Sequence, residues 1–91
     1  MSGIDSTCRM LRAAYPHGLS RDATKYRAVI AILYPHCSDR QLAEALHSAF
    51  GVDRAVAYND VLGSASFDPV GHASTHACLT RHGLQGWLRE D

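Results

Sequence analysis

Between Ser38 and Gly51 the chain carries the signals for both ends of one helix. Ser38-Asp39-Arg40-Gln41 has the spacing of a capping box, in which the serine hydroxyl accepts from the third helical amide and the glutamine side chain reaches back to the serine amide. Gly51 can adopt the left-handed conformation that ends a helix. Between these signals Leu42, Ala45, Leu46, Ala49 and Phe50 recur at helical spacing and supply an apolar stripe. A helix this short is marginal alone and has to bury its stripe against others.

The rest of the chain repeats this punctuation. A first helix starts at Asp5 or Ser6, runs through Cys8, Met10, Leu11 and Ala14, and stops ahead of Pro16. Tyr15-Pro16-His17-Gly18 is then a turn. A second helix starts near Ser20 or Asp22. Its Tyr26, Val29, Ile30 and Leu33 follow the i, i+3, i+4, i+7 pattern, Ala28, Ile32 and Tyr34 widen the stripe, and Pro35 ends it. Val29, Ile30 and Ile32 would also suit a strand, but the stripe and the flanking alanines favour a helix. A fourth helix follows the cap Asp53, with Ala55, Val56, Tyr58, Val61 and Leu62 as its apolar side, and Gly63 to Ser66 form a loop. A fifth opens at Asp68-Pro69 and buries Val70, Ala73, Ala77 and Thr80, with Cys78 and Leu79 beside them; Gly83 closes it. Leu84 and Trp87 act as tail anchors. The Tyr-Pro-His turn after the first helix recurs as Tyr34-Pro35-His36, the same turn solution used twice. The reading is an all-α fold, a small bundle of about five helices, with residues 1–91 as one domain.

Charge narrows the function classes. Nine Lys and Arg balance nine Asp and Glu, so no global attraction to nucleic acid or anionic lipid is expected. A local basic patch is conceivable from Arg9, Arg12, Arg21, Lys25 and Arg27, and the simpler reading is solvated helix faces. No apolar run approaches the roughly 20 residues of a membrane span, and no secretory signal is legible. Cys8, Cys37 and Cys78 read as reduced thiols, mostly buried, in a cytoplasmic protein.

The segment Leu11-Arg12-Ala13-Ala14-Tyr15-Pro16-His17-Gly18, then Ala31-Ile32-Leu33 leading to Ser38-Asp39, then the Leu42, Ala45, Leu46 spacing, resembles a small helical family of mycobacteria and related actinobacteria, known as a domain of unknown function. Gly86-Trp87 is similar to the family's Gly-Trp ending, whereas Leu88 stands where the family has proline and Val52 to Val70 matches weakly. The resemblance implies a compact helical bundle and carries over no catalytic or binding residue.

Three constellations bear on chemistry. His72, His76, Cys78 and His82 suggest zinc, but His72 and His76 share one helix face while Cys78 and His82 lie roughly 120° around the axis. One helix cannot converge all four on an ion, so further ligands have to come from elsewhere, His36 and Cys37 being the nearest in kind. No glutamate follows His72 in the metalloprotease manner. These histidines are therefore read as surface or capping residues, with no metal and no cofactor assigned. Cys37 follows His36, and Cys78 precedes His82 by one turn, yet no oxyanion hole is apparent, and Glu44, Asp53, Asp60 and Asp68 are scattered as caps and solvated positions. No catalytic residue is assigned and the chain is not read as an enzyme.

The third constellation is a helix-turn-helix: Leu42 to Phe50, the Gly51 turn, and a second helix presenting Arg54, Tyr58 and Asn59 to DNA. His47 sits where close approach of the helices favours a small residue, and Asp53 and Asp60 repel phosphate. The favoured expectation is a protein–protein interaction or regulatory adaptor module, with a protein partner or self-association through Tyr58, Phe67 or Trp87. DNA binding is the alternative, and no membrane role is expected.

Overall fold

The computed structural model describes residues 4–20, 23–63 and 72–89. It is all-α: α1 (Ile4–Ala14), α2 (Thr24–Leu33), a 3-10 turn (Tyr34–His36), α3 (Asp39–Phe50), α4 (Arg54–Leu62), α5 (His72–Arg81) and α6 (Leu84–Leu88). Short loops leave α3 beside α4 and α5 beside α6. The most extensive packing is of α3 on α4 and on α1, with α2 lying on α5 and α6 closing against α1 and α5.

The helix ends follow local chemistry. Ser38 accepts from the Gln41 amide at 3.1 Å, and the Gln41 side chain accepts from the Ser38 amide, so the capping box forms as expected. Gly51 closes α3 with φ +73°. The Asp53 carboxylate accepts from the amides of Ala55 and Val56 and starts α4. The second helix departs from expectation. It begins at Thr24, with Ala23 at its N-cap and hence no side-chain cap, and the Ser20 carbonyl accepts from the Ala23 amide in the turn before it. Asp22 and the expected Asp68-Pro69 start of α5 lie outside the described residues.

The two Tyr-Pro-His segments fold differently. Tyr15 is 9% exposed and turns inward, its ring edge-on to Phe50 with centroids 6.2 Å apart. Tyr34 belongs to the 3-10 turn and is 40% exposed, so it does not widen the α2 stripe. The first segment is released by Gly18 at φ +77°, whereas the second, with cysteine at the matching position, tightens into a 3-10 turn.

The core is a single cluster. Leu11 of α1, Val29, Ile30 and Leu33 of α2, and Leu42 and Leu46 of α3 are fully buried. Leu84 and Trp87 anchor the tail as expected. The Trp87 indole N–H donates to the Thr7 hydroxyl at 2.9 Å and laces the end of the chain to its beginning. The tail forms the short helix α6. Gly83, at φ +107°, ends α5 and reverses the chain so that Leu84 and Trp87 share one inward face.

The stripe expected to be buried in α5 points outward, and the apolar side expected of α4 is split between core and solvent. In α5, Ala73, Ala77 and Thr80 are exposed while Thr75 and Leu79 are buried and Cys78 is half-buried. Leu79 is the one large aliphatic side chain in that helix, and its burial gain exceeds that of two alanine methyls, so it sets the rotation. In α4, Val56, Ala57 and Val61 face the core, leaving Ala55, Tyr58 and Leu62 outside. Tyr26 reinforces this rotation, since its hydroxyl donates to the Asp60 carboxylate at 2.8 Å and holds that side of α4 toward α2.

Candidate functional site

The rotation of α4 leaves a concave surface beside α3. A groove of about 420 Å³ runs between α3 and α4, floored by Ala43 and Ala55 and bordered by Tyr58, Arg40, Glu44 and Arg54. Its lining is mostly apolar. Tyr58 is 36% and Leu62 54% exposed, one turn apart on the same helix, and together with Ala55 they make an uncovered apolar stripe beside the groove.

The loop that joins the two helices is held by His47. Its Nδ1 donates to the Val52 carbonyl at 2.7 Å, so the imidazole bridges the end of α3 to the start of the next helix. The size of this side chain, which the sequence reading set against a helix-turn-helix, does not keep α3 and α4 from packing closely, and its ring supplies a hydrogen bond across the turn. Arg54, the proposed DNA contact, donates from Nε to the Glu44 carboxylate at 2.6 Å. Its charge is therefore matched within the groove wall, while Arg40 has no ion-pair or hydrogen-bond partner among the described residues. Among the described residues the rim thus carries one unmatched positive charge.

The histidines divide between two regions. His72 and His76 stack, with centroids 6.3 Å apart and 14° between ring planes, as two residues one turn apart on a helix face should. His36 lines the same small cavity as these two, although it comes from the 3-10 turn. His82 lines a different cavity with Arg9, Met10 and Trp87, in keeping with the expected displacement around α5. Among the described residues, no three His, Cys, Asp or Glu side chains are placed so that they hold one ion.

The thiols are engaged elsewhere. Cys37 donates to the Leu33 carbonyl, and burial, with help from Asp39, pushes its thiol up to about 11. Cys8 points at the Ala45 carbonyl, and burial raises it above the usual thiol range. Cys78 points at the Ala14 carbonyl. His36, the neighbour of Cys37, turns its ring edge-on to Trp87 at 6.1 Å instead of toward the thiol. Phe67, one of the three aromatic anchors read from the sequence, lies outside the described residues; Trp87 is core, and Tyr58 is exposed.

A polar pocket of about 400 Å³ between α1 and α3 contains Asp5, Arg9 and Arg12. Arg12 is committed there, donating to the Ser48 carbonyl at 2.9 Å and tying the two helices. No described helix is long and apolar enough to cross a membrane. No family model matches the chain, and neither a curated protein nor a solved structure matches it.

Proposed function

We propose that this chain is a protein-interaction module whose docking face is the α3–α4 hairpin. The observation that carries the reading is the uncovered stripe Ala55, Tyr58 and Leu62 beside an apolar groove. Exposed apolar area in a neutral protein is favourable to bury and is most readily used by a partner. Tyrosine at the edge of such a groove offers a rigid ring and a hydroxyl that stays hydrogen-bonded at a rim. The unmatched Arg40 selects the partner's chemistry: a helical segment with apolar side chains over Tyr58 and Leu62 and a carboxylate near Arg40. The rigid hairpin, held by His47 and capped by Asp53, presents this face with little ordering to be done on binding.

DNA binding gains less from the same residues. Arg54 would have to leave Glu44 before it could approach a phosphate, and Glu44 would then face the phosphate. The experiment is photo-cross-linking with p-benzoylphenylalanine at Tyr58 and, as a control, at exposed Lys25 on α2, in lysate treated with nuclease. A protein adduct found only from position 58, and lost with Arg40→Glu, supports the reading. Equal labelling from both positions, or capture that disappears with nuclease, overturns it. An adduct at twice the chain mass identifies a second copy as the occupant.

A further inference from the structure

The exposed stripe on α4 has the pattern of a surface that fits itself. Ala55, Tyr58 and Leu62 follow one face, with a small residue at one end and a large one at the other. A second α4 laid antiparallel on the first, about a two-fold axis midway between Tyr58 and Asn59, sets Leu62 of each chain over Ala55 of the other. The alanine leaves the room that the leucine fills. The same register brings Tyr58 of each chain beside Asn59 of the other, a phenol against an amide that can hydrogen-bond to it.

Charge is arranged in the same way. Residues 51–53 join α3 to α4, so Arg40 lies at the end of the groove away from that turn and Asp53 lies at the turn. Arg40 is unmatched, and the exposed Asp53 carboxylate accepts from two amides but faces no cation among the described residues. Glu44 and Arg54 neutralise each other between them. The face thus runs from a positive end to a negative end, and the antiparallel register sets each end against its opposite, twice over. A chain of zero net charge adds no overall repulsion.

We propose, resting on the reading of the α3–α4 face as a docking surface, that its occupant is a second copy of this chain, packed hairpin on hairpin about that two-fold axis. α4 is itself a helix with apolar side chains and a carboxylate at its start, the partner chemistry that Tyr58, Leu62 and Arg40 select. The stripe is short, so the interface belongs at the small end of the specific range, with a dissociation constant of about 10–100 μM.

The test is sedimentation equilibrium of the purified full chain, reduced, over about 1–500 μM. A reversible monomer–dimer equilibrium is expected, with no larger species, because a two-fold contact closes on itself. Leu62→Glu and Arg40→Glu should each weaken the dimer about tenfold or more, Arg40→Lys less than about threefold, and Lys25→Glu on α2 not at all. Arg40, Leu62 and Lys25 are exposed, so the variants should melt with the parent. p-Benzoylphenylalanine at position 58 of the purified chain should give an adduct at twice the chain mass, attached within α4 of the other copy. A chain that stays monomeric throughout, or a dimer unmoved by both Leu62→Glu and Arg40→Glu, overturns the proposal. If position 58 of a monomeric chain captures a different protein from lysate, the second copy is the wrong occupant while the docking face stands. If the chain is monomeric and position 58 captures nothing, both fall.

Discussion

Replacing Thr75 by valine should make this protein more stable. The Thr75 hydroxyl is on α5, 1% exposed, and has no hydrogen-bond partner among the described residues. The Tyr15 hydroxyl, also buried, is in the same position. The Thr75 hydroxyl and the Cys78 thiol are its polar neighbours, and burial, reinforced by Cys78, pushes Tyr15 above the usual phenol range. Neither hydroxyl aligns with these neighbours as donor and acceptor. A buried hydroxyl left without a partner costs about 1–3 kcal/mol, and replacing it by a methyl of the same shape removes that cost. Valine also keeps the β-branch and is close to threonine in helix propensity. The expected gain is therefore about 1–2 kcal/mol. At ~4–8 °C per kcal/mol for a domain of this size, the melting temperature should rise by roughly 5–15 °C. Urea unfolding followed by circular dichroism gives the sharper reading: the midpoint should move up by about 1 M with the slope unchanged. Tyr15→Phe keeps the edge contact to Phe50 and should act in the same direction. If the double variant gains less than the sum, the two hydroxyls were coupled. A loss of more than ~0.5 kcal/mol in Thr75→Val refutes the reasoning, because the hydroxyl must then be satisfied in solution, through an ordered water for instance.

Four further outcomes follow from particular contacts. Trp87→Ala removes a side chain 2% exposed together with its hydrogen bond to Thr7, and chemical denaturation should show a loss of about 3–5 kcal/mol, a large part of the stability of a small domain. Ser38→Ala, which breaks the capping box, should cost about 1 kcal/mol in the same assay. Cys37 is held neutral by burial, so its folded value of about 11 lies above the ordinary 9.0; the stability it contributes is complete below pH 9.0 and is lost as pH rises toward about 11. Melting temperatures across that window should fall less steeply in Cys37→Ala, and alkylation of Cys37 at neutral pH should be slow until the protein unfolds. Arg54→Ala breaks an exposed ion pair, so stability should change by less than ~1 kcal/mol, and any change in partner binding then reports on the groove itself.

What the residues determine alone is what neighbours along the chain can decide. The capping box at Ser38, the Gly51 stop and the Asp53 cap each depend on hydrogen bonds within a few residues, and each is legible without a structure. The all-α class follows from the same signals. The rotation of a helix about its own axis does not. In α4 and α5 the apolar residues are small or spread around the axis, so several faces are nearly equal in burial, and the choice falls to Leu79 packing on α2 and to Tyr26 reaching Asp60. That choice exposes Tyr58 and Leu62 and so makes the groove. Packing also separates the two Tyr-Pro-His segments, burying Tyr15 edge-on to Phe50 and leaving Tyr34 exposed. The meeting of His36 with His72 and His76 is of the same kind: 35 residues lie between the first two in the chain, and the packing of α2 against α5 brings them to one cavity. Local hydrogen bonds set where helices begin and end, while burial summed over the whole fold sets which way they face.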